Sequence, residues 1–283
     1  MELAGVYHSL NGQSAVNVKL MARISSNWRN TTGIITQPVW SGLRWLFKAL
    51  DSVIYPPVCV GCGVICEKHS ALCSQCWSEL HFIDRPFCDI TGRPFSHDLG
   101  EGIISADAIA NPPPYRRARA ALIYDGKARK IVHRFKFKDQ SNLSHLMADW
   151  MIRAGQECIK DADFIIPVPL HRRRLISRKY NQSADLARLI GQKIDLTYLP
   201  STLVRQRHTK PQVGLAASER QKNVKGAFKV LDEKRSDILG CHIVLVDDVF
   251  TTGATVNAAT KALLKAGARE VSILTFARVG SDI

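Results

Sequence analysis

From about residue 118 to the C-terminus, the apolar positions switch repeatedly between the two-residue period of strands and the three-to-four-residue period of helices. Ala118–Tyr124 reads as a strand and Lys127–Phe135 as a helix. Leu143–Cys158 is a second helical pattern, and Phe164–Val168 a short strand apolar on both faces. Asn181–Ile194 reads as helix, Gly240–Val246 as strand, Thr255–Ala266 as helix and Val271–Ala277 as a last strand. This alternation predicts an α/β domain with a mostly parallel central sheet. The earlier chain is patterned differently. Trp40, Leu43, Trp45, Leu46, Leu50, Val53 and Ile54 recur at helical spacing, so an amphipathic helix is expected up to the stop at Tyr55-Pro56-Pro57. Its apolar stripe suits a core or interdomain contact better than a membrane surface, because it is short and weakly basic. Residues 1–34 are rich in Ser, Asn and Thr without periodicity and read as a disordered extension; a start at Met21 is compatible with this. Between these parts lie a cysteine-rich segment from Cys59 to Cys88 and a loop-like stretch from Thr91 to Asn111-Pro112-Pro113-Pro114. No internal repeat is visible in the sequence.

At 283 residues and 46% hydrophobic content, the chain can bury one ordinary core and carry a small annex. No stretch approaches the roughly 18 apolar residues of a membrane-spanning helix, and the N-terminus lacks the apolar core of a signal peptide. A cytoplasmic protein is therefore expected, with its eight cysteines reduced and available to metal. The formal net charge is +14. Between Arg116 and Lys179 the cations are dense: Arg116, Arg117, Lys127, Arg129, Lys130, Arg134, Lys136, Lys138 and Arg172-Arg173-Arg174. Nucleic acid or a polyanionic small substrate would suit such a stretch, and so would a solvated basic face. Charge alone does not choose.

Cys59-x2-Cys62 and Cys73-x2-Cys76 form two knuckles whose four thiolates can close a tetrahedron around a structural zinc. Four sulfurs leave no open position for catalysis. Cys66 and Cys88 are left over, and Cys88-Asp89-Ile90-Thr91 looks like a knuckle whose second cysteine is gone. His97 reads as a surface residue, and Cys158 and Cys241 as core packing.

Ile243-Val244-Leu245-Val246-Asp247-Asp248-Val249-Phe250-Thr251-Thr252-Gly253-Ala254-Thr255 is the most informative segment. A buried strand leads to two adjacent carboxylates at its carboxyl end, where open parallel sheets place ligands. A small, hydroxyl-rich turn before a helix then offers a phosphate cradle. Together they suggest a sugar phosphate, with the carboxylates on ring hydroxyls or magnesium. The segment resembles the phosphoribosyl pyrophosphate (PRPP) motif of the type I phosphoribosyltransferases, with Phe250 where a smaller aliphatic is more usual.

Further segments extend the resemblance. Pro167-Val168-Pro169-Leu170 is followed by Arg174, Arg178 and Asn181-Gln182; Arg205, Arg207, Thr209, Gln212, Leu215, Arg220 and Asn223 lie in a polar stretch that reads as a mobile basic loop. With the Pro-Pro-x-Cys approach to the knuckles and Tyr124-Asp125-Gly126 leading to Phe135-Lys136-Phe137, this order is similar to the ComF competence-protein family from Leu50 onward. Lys179-Tyr180 departs from the Gly-Phe common there. The resemblance implies a zinc-ribbon head with linker over 58–112 and a phosphoribosyltransferase-like domain over 113–283, after the extension at 1–34 and the helix at 35–57. It makes Asp247 and Asp248 the candidate catalytic residues, assigns the 5-phosphate to Thr251, Thr252, Gly253, Ala254 and Thr255, and points Arg174, Arg178 and Lys210 at the pyrophosphate. Structural zinc, and magnesium with PRPP, are the implied cofactors. Two functions follow: a phosphoribosyl-transferring enzyme acting in DNA uptake for natural transformation, its acceptor unspecified, or a non-catalytic adaptor. The adaptor would keep the PRPP pocket as a sensor or relic and engage single-stranded DNA or the uptake machinery. Tyr115, Tyr124, Phe135 and Phe137 read as core in preference to base-stacking platforms.

Overall fold

The computed structural model describes residues 56–67, 71–137, 141–171, 180–207 and 217–280. The extension expected over 1–34 and the helix expected over 38–54 lie outside the described residues. The described strands are β1 (Arg117–Ile123), β2 (Phe164–Pro167), β3 (Thr197–Tyr198), β4 (Leu203–Arg205), β5 (Phe228–Val230), β6 (His242–Phe250) and β7 (Glu270–Arg278). The helices are α1 (Ser74–Ser78), α2 (Ala106–Ala110), α3 (Gly126–Phe137), α4 (Ser141–Ala154), α5 (Gln156–Ile159), α6 (Gln182–Ile194), α7 (Ala217–Val224) and α8 (Ala254–Lys265). Five strands make one parallel sheet in the order β1-β7-β6-β2-β3, and β4 and β5 form a separate antiparallel pair. Among the described residues no helix is long and apolar enough to cross a membrane.

Each face of the sheet is covered. Val244, Val246, Leu274 and Phe276 pack with residues of α3, α4 and α6, whereas Ile243, Leu245, Val271 and Ile273 pack with α8 and the β4–β5 pair. Alternation within one strand thus feeds two cores. Tyr115 and Phe135 are core residues, 6% and 2% exposed. Three elements differ from the sequence pattern. The helix expected over 143–158 breaks at Gly155, where a Cβ would stand 2.5 Å from Leu274 Cδ1, so close approach to β7 takes precedence over helical continuity. The polar stretch over 205–223 begins in β4 and ends in α7, with Arg207 Nη2 donating to the carbonyls of Asn223 (3.0 Å) and Lys225 (2.8 Å). Lastly, β6 runs through Phe250, past the expected end at Val246.

The cysteine-bearing segment is sewn to the open edge of β1. Phe82 bridges Leu122, the Ile83 amide donates to Ala121 O (3.0 Å), and the Ile123 amide to His81 O (2.9 Å). That pairing covers an edge that would otherwise be open to other strands. Trp77, Phe82 and Trp150 then form an aromatic group with ring centroids 5.1 to 5.9 Å apart, and Trp150 stacks on Phe276 of the sheet. Arg119 is the polar counterpart. It is 3% exposed, donates to Asp89 O (2.8 Å), Asp89 Oδ1 (3.1 Å) and Glu157 Oε2, and lies 4.6 Å over the Phe87 ring. Glu157 also receives Arg85 and Arg117. Burial raises the Glu157 pKa, but hydrogen bonds and charge from Arg119 and Arg85 outweigh it and hold the carboxyl below its ordinary value.

Because that carboxyl is depressed in the folded state, its contribution to stability is present above about pH 4.5 and is lost as pH falls through the lower folded value. Arg119→Met should cost about 3 kcal/mol in urea unfolding by removing the buried partner that Asp89 and Glu157 share, the more exposed Arg85 and Arg117 compensating only in part. Adding Glu157→Gln should recover part of it, and a pair of variants with simply additive costs would contradict this role for Arg119.

Candidate functional site

Strand β2 pairs with β6 only from Phe164↔Ile243 to Pro167↔Val246, while β7 accompanies β6 to Phe250↔Arg278. Asp247 and Asp248 therefore stand where β6 loses one neighbour and keeps the other. Asp247 Oδ1 accepts from Ser183 Oγ (2.9 Å) and from the Asp248 amide (2.9 Å). Asp248 Oδ2 lies 2.7 Å from Lys136 Nζ. Burial, and next the Asp248 charge, push the Asp247 carboxyl up to about 7, against the lowering effect of Ser183 and Lys136. Among the described residues Lys136 is the cation set against these two carboxylates.

The N-terminus of α6 holds this arrangement. Asn181 caps it, its Oδ1 accepting from Ser183 N (3.2 Å) and its Nδ2 donating to Val168 O (3.2 Å). Gln182 Nε2 reaches Lys136 O (3.4 Å), and Tyr180 OH reaches Phe135 O. Lys136 stood in the sequence among the general basic positions, and Ser183 was not singled out; the adjacency of Lys136 to Phe135, and of Ser183 to Asn181-Gln182, was the available signal. After Phe250 the chain turns through exposed Thr251 and Thr252 to Gly253, at φ +76°, which heads α8 without a side-chain cap. A Cβ there would also stand 3.0 Å from Phe250 Cζ, so glycine is required on both counts. The first-turn amides of α8 have no intrahelical acceptors and face this turn, as an anion needs. Ala254 is buried and Thr255 half-buried in that turn. Arg174, Arg178 and Lys210 lie outside the described residues.

Cys59, Cys62, Cys73 and Cys76 place their sulfurs within 4.8 Å of one another, with Cys62 Sγ and Cys73 Sγ 3.7 Å apart. A tetrahedron of thiolates at ordinary zinc distance has edges of about 3.8 Å. Amides of Gly61 (3.3 Å) and Cys73 (3.2 Å) donate to Cys59 Sγ, and that of Cys76 to Cys73 Sγ (3.5 Å). A Cβ on Gly61 would meet Cys76 Sγ at 2.9 Å, so the turn is shaped around the sulfurs. The four cysteines fit a structural zinc. Cys66 bonds Val64 O instead, His97 bonds Ser96, and Cys158 is fully buried in the core. Cys241 departs from the core expectation: it is half-exposed over the carbonyls of Asp237 and Leu239.

The degenerate knuckle at Cys88 belongs to a full structural repeat of the first copy. The bridge Val58↔Ile65 recurs as Phe87↔Pro94. The bonds Cys59 N→Val64 O, Gly63 N→Cys59 O and Cys66 N→Pro57 O recur as Cys88 N→Arg93 O, Gly92 N→Cys88 O and Phe95 N→Pro86 O. Cys73 N→Cys59 Sγ recurs as Ser105 N→Cys88 Sγ, and Cys73 capping α1 recurs as Ser105 capping α2. Cys88, Thr91, Ser105 and Ala108 thus occupy the places of the four zinc ligands. In this second copy amide bonds to Cys88 Sγ and a Ser105 cap stand where metal bonds would be.

Two outcomes are expected. Chains carrying Thr91→Cys, Ser105→Cys and Ala108→Cys should bind about two zinc ions where the parent binds about one, measured by metal release after denaturation; an unchanged ratio would refute the correspondence. In Asp247→Asn, the acceptor used by Ser183 survives but the charge does not. A carboxyl raised in the folded state loses stability as pH rises from about 3.8 through about 7. The substitution should therefore leave stability near pH 4 unchanged and raise it by about 2 kcal/mol at pH 8, read from thermal unfolding.

Residues 50–108 match a family model described as a double zinc ribbon domain, and residues 184–283 one described as a phosphoribosyl transferase domain. The α/β fold with its parallel sheet is of that phosphoribosyltransferase type. DNA utilization protein YhgH of Shigella flexneri is 30% identical over 242 residues, covering 84% of this chain and 97% of that protein. Competence protein F of Haemophilus influenzae is 28% identical over 226 residues, covering 78% and 96%. Competence protein ComFC of Bacillus subtilis is 28% identical over 212 residues, covering 73% and 84%.

Proposed function

The chain belongs to the family of competence protein F, ComFC and YhgH, and from that premise we propose that it binds PRPP with magnesium at the carboxyl end of β6 and serves the cell's use of external DNA. The observation that carries the binding reading is the acidic pair, with Lys136 at Asp248 and a raised Asp247 carboxyl, beside a helix start without a side-chain cap. Asp247 and Asp248 would face the ribose hydroxyls or the cation, and the turn from Thr251 to Thr255 would receive the 5-phosphate through backbone amides and hydroxyls. Arg174, Arg178 and Lys210 are the candidates for the pyrophosphate, by their position in the sequence. Bound magnesium would neutralise pyrophosphate charge and make it a better leaving group. The chain's own contribution to transfer would be the acidic pair, which stabilises positive charge growing at the anomeric carbon.

The proposal is one of binding, and no acceptor is assigned. The Lys136–Asp248 contact supports it further. An ammonium ion already rests on the carboxylate that a ligand's hydroxyls or cation would engage, so occupation would displace a built-in counter-ion.

PRPP with magnesium should raise the unfolding temperature of the full chain, and Asp247→Asn with Asp248→Asn should abolish most of that gain. Because the Asp247 carboxyl sits near 7 without ligand, a cation or polarised hydroxyl there should drive off its proton. Affinity should rise as pH climbs to about 7 and level off above it, with proton release visible as a buffer-dependent heat in calorimetry. No thermal shift at millimolar PRPP would end the reading.

A further inference from the structure

A pocket of about 770 Å³ opens on the α8 side of the sheet, the side opposite α3 and its Lys136. That volume is ordinary for a small-molecule site. Its base is Phe250 with the end of β7; α8 contributes Asn257 and Lys261, and the metal-free ribbon copy contributes Thr91 and Arg93. Thr251 and Thr252 border it from the turn before α8, but neither Asp247 nor Asp248 lines it.

Arg278 sets its chemistry. The residue is 8% exposed, lies 5.2 Å over the Phe250 ring and donates through Nη1 to Thr91 O. No carboxylate among the described residues pairs with it, and its buried Nε has no hydrogen-bond partner. Burial above all pulls its pKa down to about 10, with Arg93 acting in the same direction. Two other buried cations are neutralised by acids: Arg119 by Asp89 and Glu157, Lys127 by Glu79. A desolvated guanidinium without a counter-ion is costly. A further buried polar atom on the same pocket, Asn257 Oδ1, is also unpartnered. With exposed Arg93 and Lys261 at the rim, three cations face one acid, the exposed Asp107.

We propose that this pocket is a second anion site, taking the phosphate monoester of a small molecule, a nucleotide or a sugar phosphate, separately from the acidic pair on β6. The phosphate oxygens meet Arg278 Nε and the rim cations, and a hydroxyl of the ligand bonds Asn257 Oδ1. The turn at Thr251-Thr252 lies between the two sites, so both ligands approach α8 from opposite sides of the same loop. The assignment does not depend on PRPP occupying the acidic pair.

The test is calorimetric titration of the zinc-loaded full chain with AMP and, separately, with ribose 5-phosphate. Both should bind at millimolar concentration or better. Equal affinities mean that the phosphate alone is recognised, and tighter AMP means that the base is seated as well; either supports the site. Arg93→Ala with Lys261→Ala, both exposed and safe for folding, should weaken binding about tenfold or more and leave magnesium–PRPP affinity within about twofold. Arg278→Gln should weaken it similarly, with thermal unfolding as a check on its fold. Asp248→Asn should leave AMP binding intact. Absence of binding for both phosphates, insensitivity to Arg93 and Lys261, or one-for-one displacement of AMP by PRPP would each overturn the proposal. If PRPP fails to bind at all, the AMP titration still decides it.

Discussion

Burial of β6 on both faces is the constraint around which the site is arranged. Ile243, Val244, Leu245 and Val246 are all fully buried, so no ionised side chain is tolerated along that run without a large desolvation cost. The first position at which a carboxylate becomes affordable is where the cover ends. That point is set by β2, whose last paired residue is Pro167. The Val168 amide still donates to Val246 O (2.8 Å), and the pairing of β2 with β6 ends there, short of Asp247. Strand β7 has no such break and keeps β6 rigid as far as Phe250. The acidic pair is thus held by a strand paired on one side and opened on the other, which combines accurate placement with access.

The head obeys a different economy. Its two copies share a backbone hydrogen-bond scheme, yet one copy has four sulfurs and the other a single one. The second copy lies against the sheet, where Ala118 N donates to Ile90 O and Arg119 grips Asp89. Contact with a folded neighbour replaces the constraint that a metal supplies to an isolated ribbon. Both copies expose apolar residues, Val64 and Ile65 in the first and Leu99 and Ile109 in the second, and the first keeps its four thiols. A ribbon braced by a folded neighbour can hold its shape without the metal's ligands.

Much of this was legible in the sequence because it rests on local pattern. Alternating periods located the strands and helices of the sheet domain, and cysteine spacing located the four sulfurs. The misses share a cause: they depend on partners distant in the chain. The extra length of β6 follows from β7, whose register is not written in residues 247–250. The break at Gly155 follows from Leu274. The second ribbon copy was half legible: Cys88-x2-Thr91 read as a broken knuckle, but its other half could not be placed, because Ser105 and Ala108 stand where cysteines would mark it. Lys136 and Ser183 come to the acidic pair from two different helices, a convergence that no linear motif records. The pyrophosphate-side candidates were nameable from sequence order alone, and nothing in the described residues bears on them.

The allocation of positive charge changes what the basic composition means. Of the cations that make Arg116 to Lys136 look like a polyanion-binding stretch, Arg116 pairs with Glu270, Arg117 and Arg119 with Glu157, Lys127 with Glu79 and Lys136 with Asp248. Arg134 is directed at Val60 O, tying α3 to the zinc ribbon. Such charges contribute little field beyond a Debye length of about 8 Å, because their partners cancel them at short range. Part of this run of arginines and lysines is an internal fastening between head and sheet. An attraction for anions must come from cations not paired with an acid: among the described residues these include exposed Arg129 and Lys130 on α3, and Arg278 with Arg93 and Lys261 around the pocket at the far end of the chain.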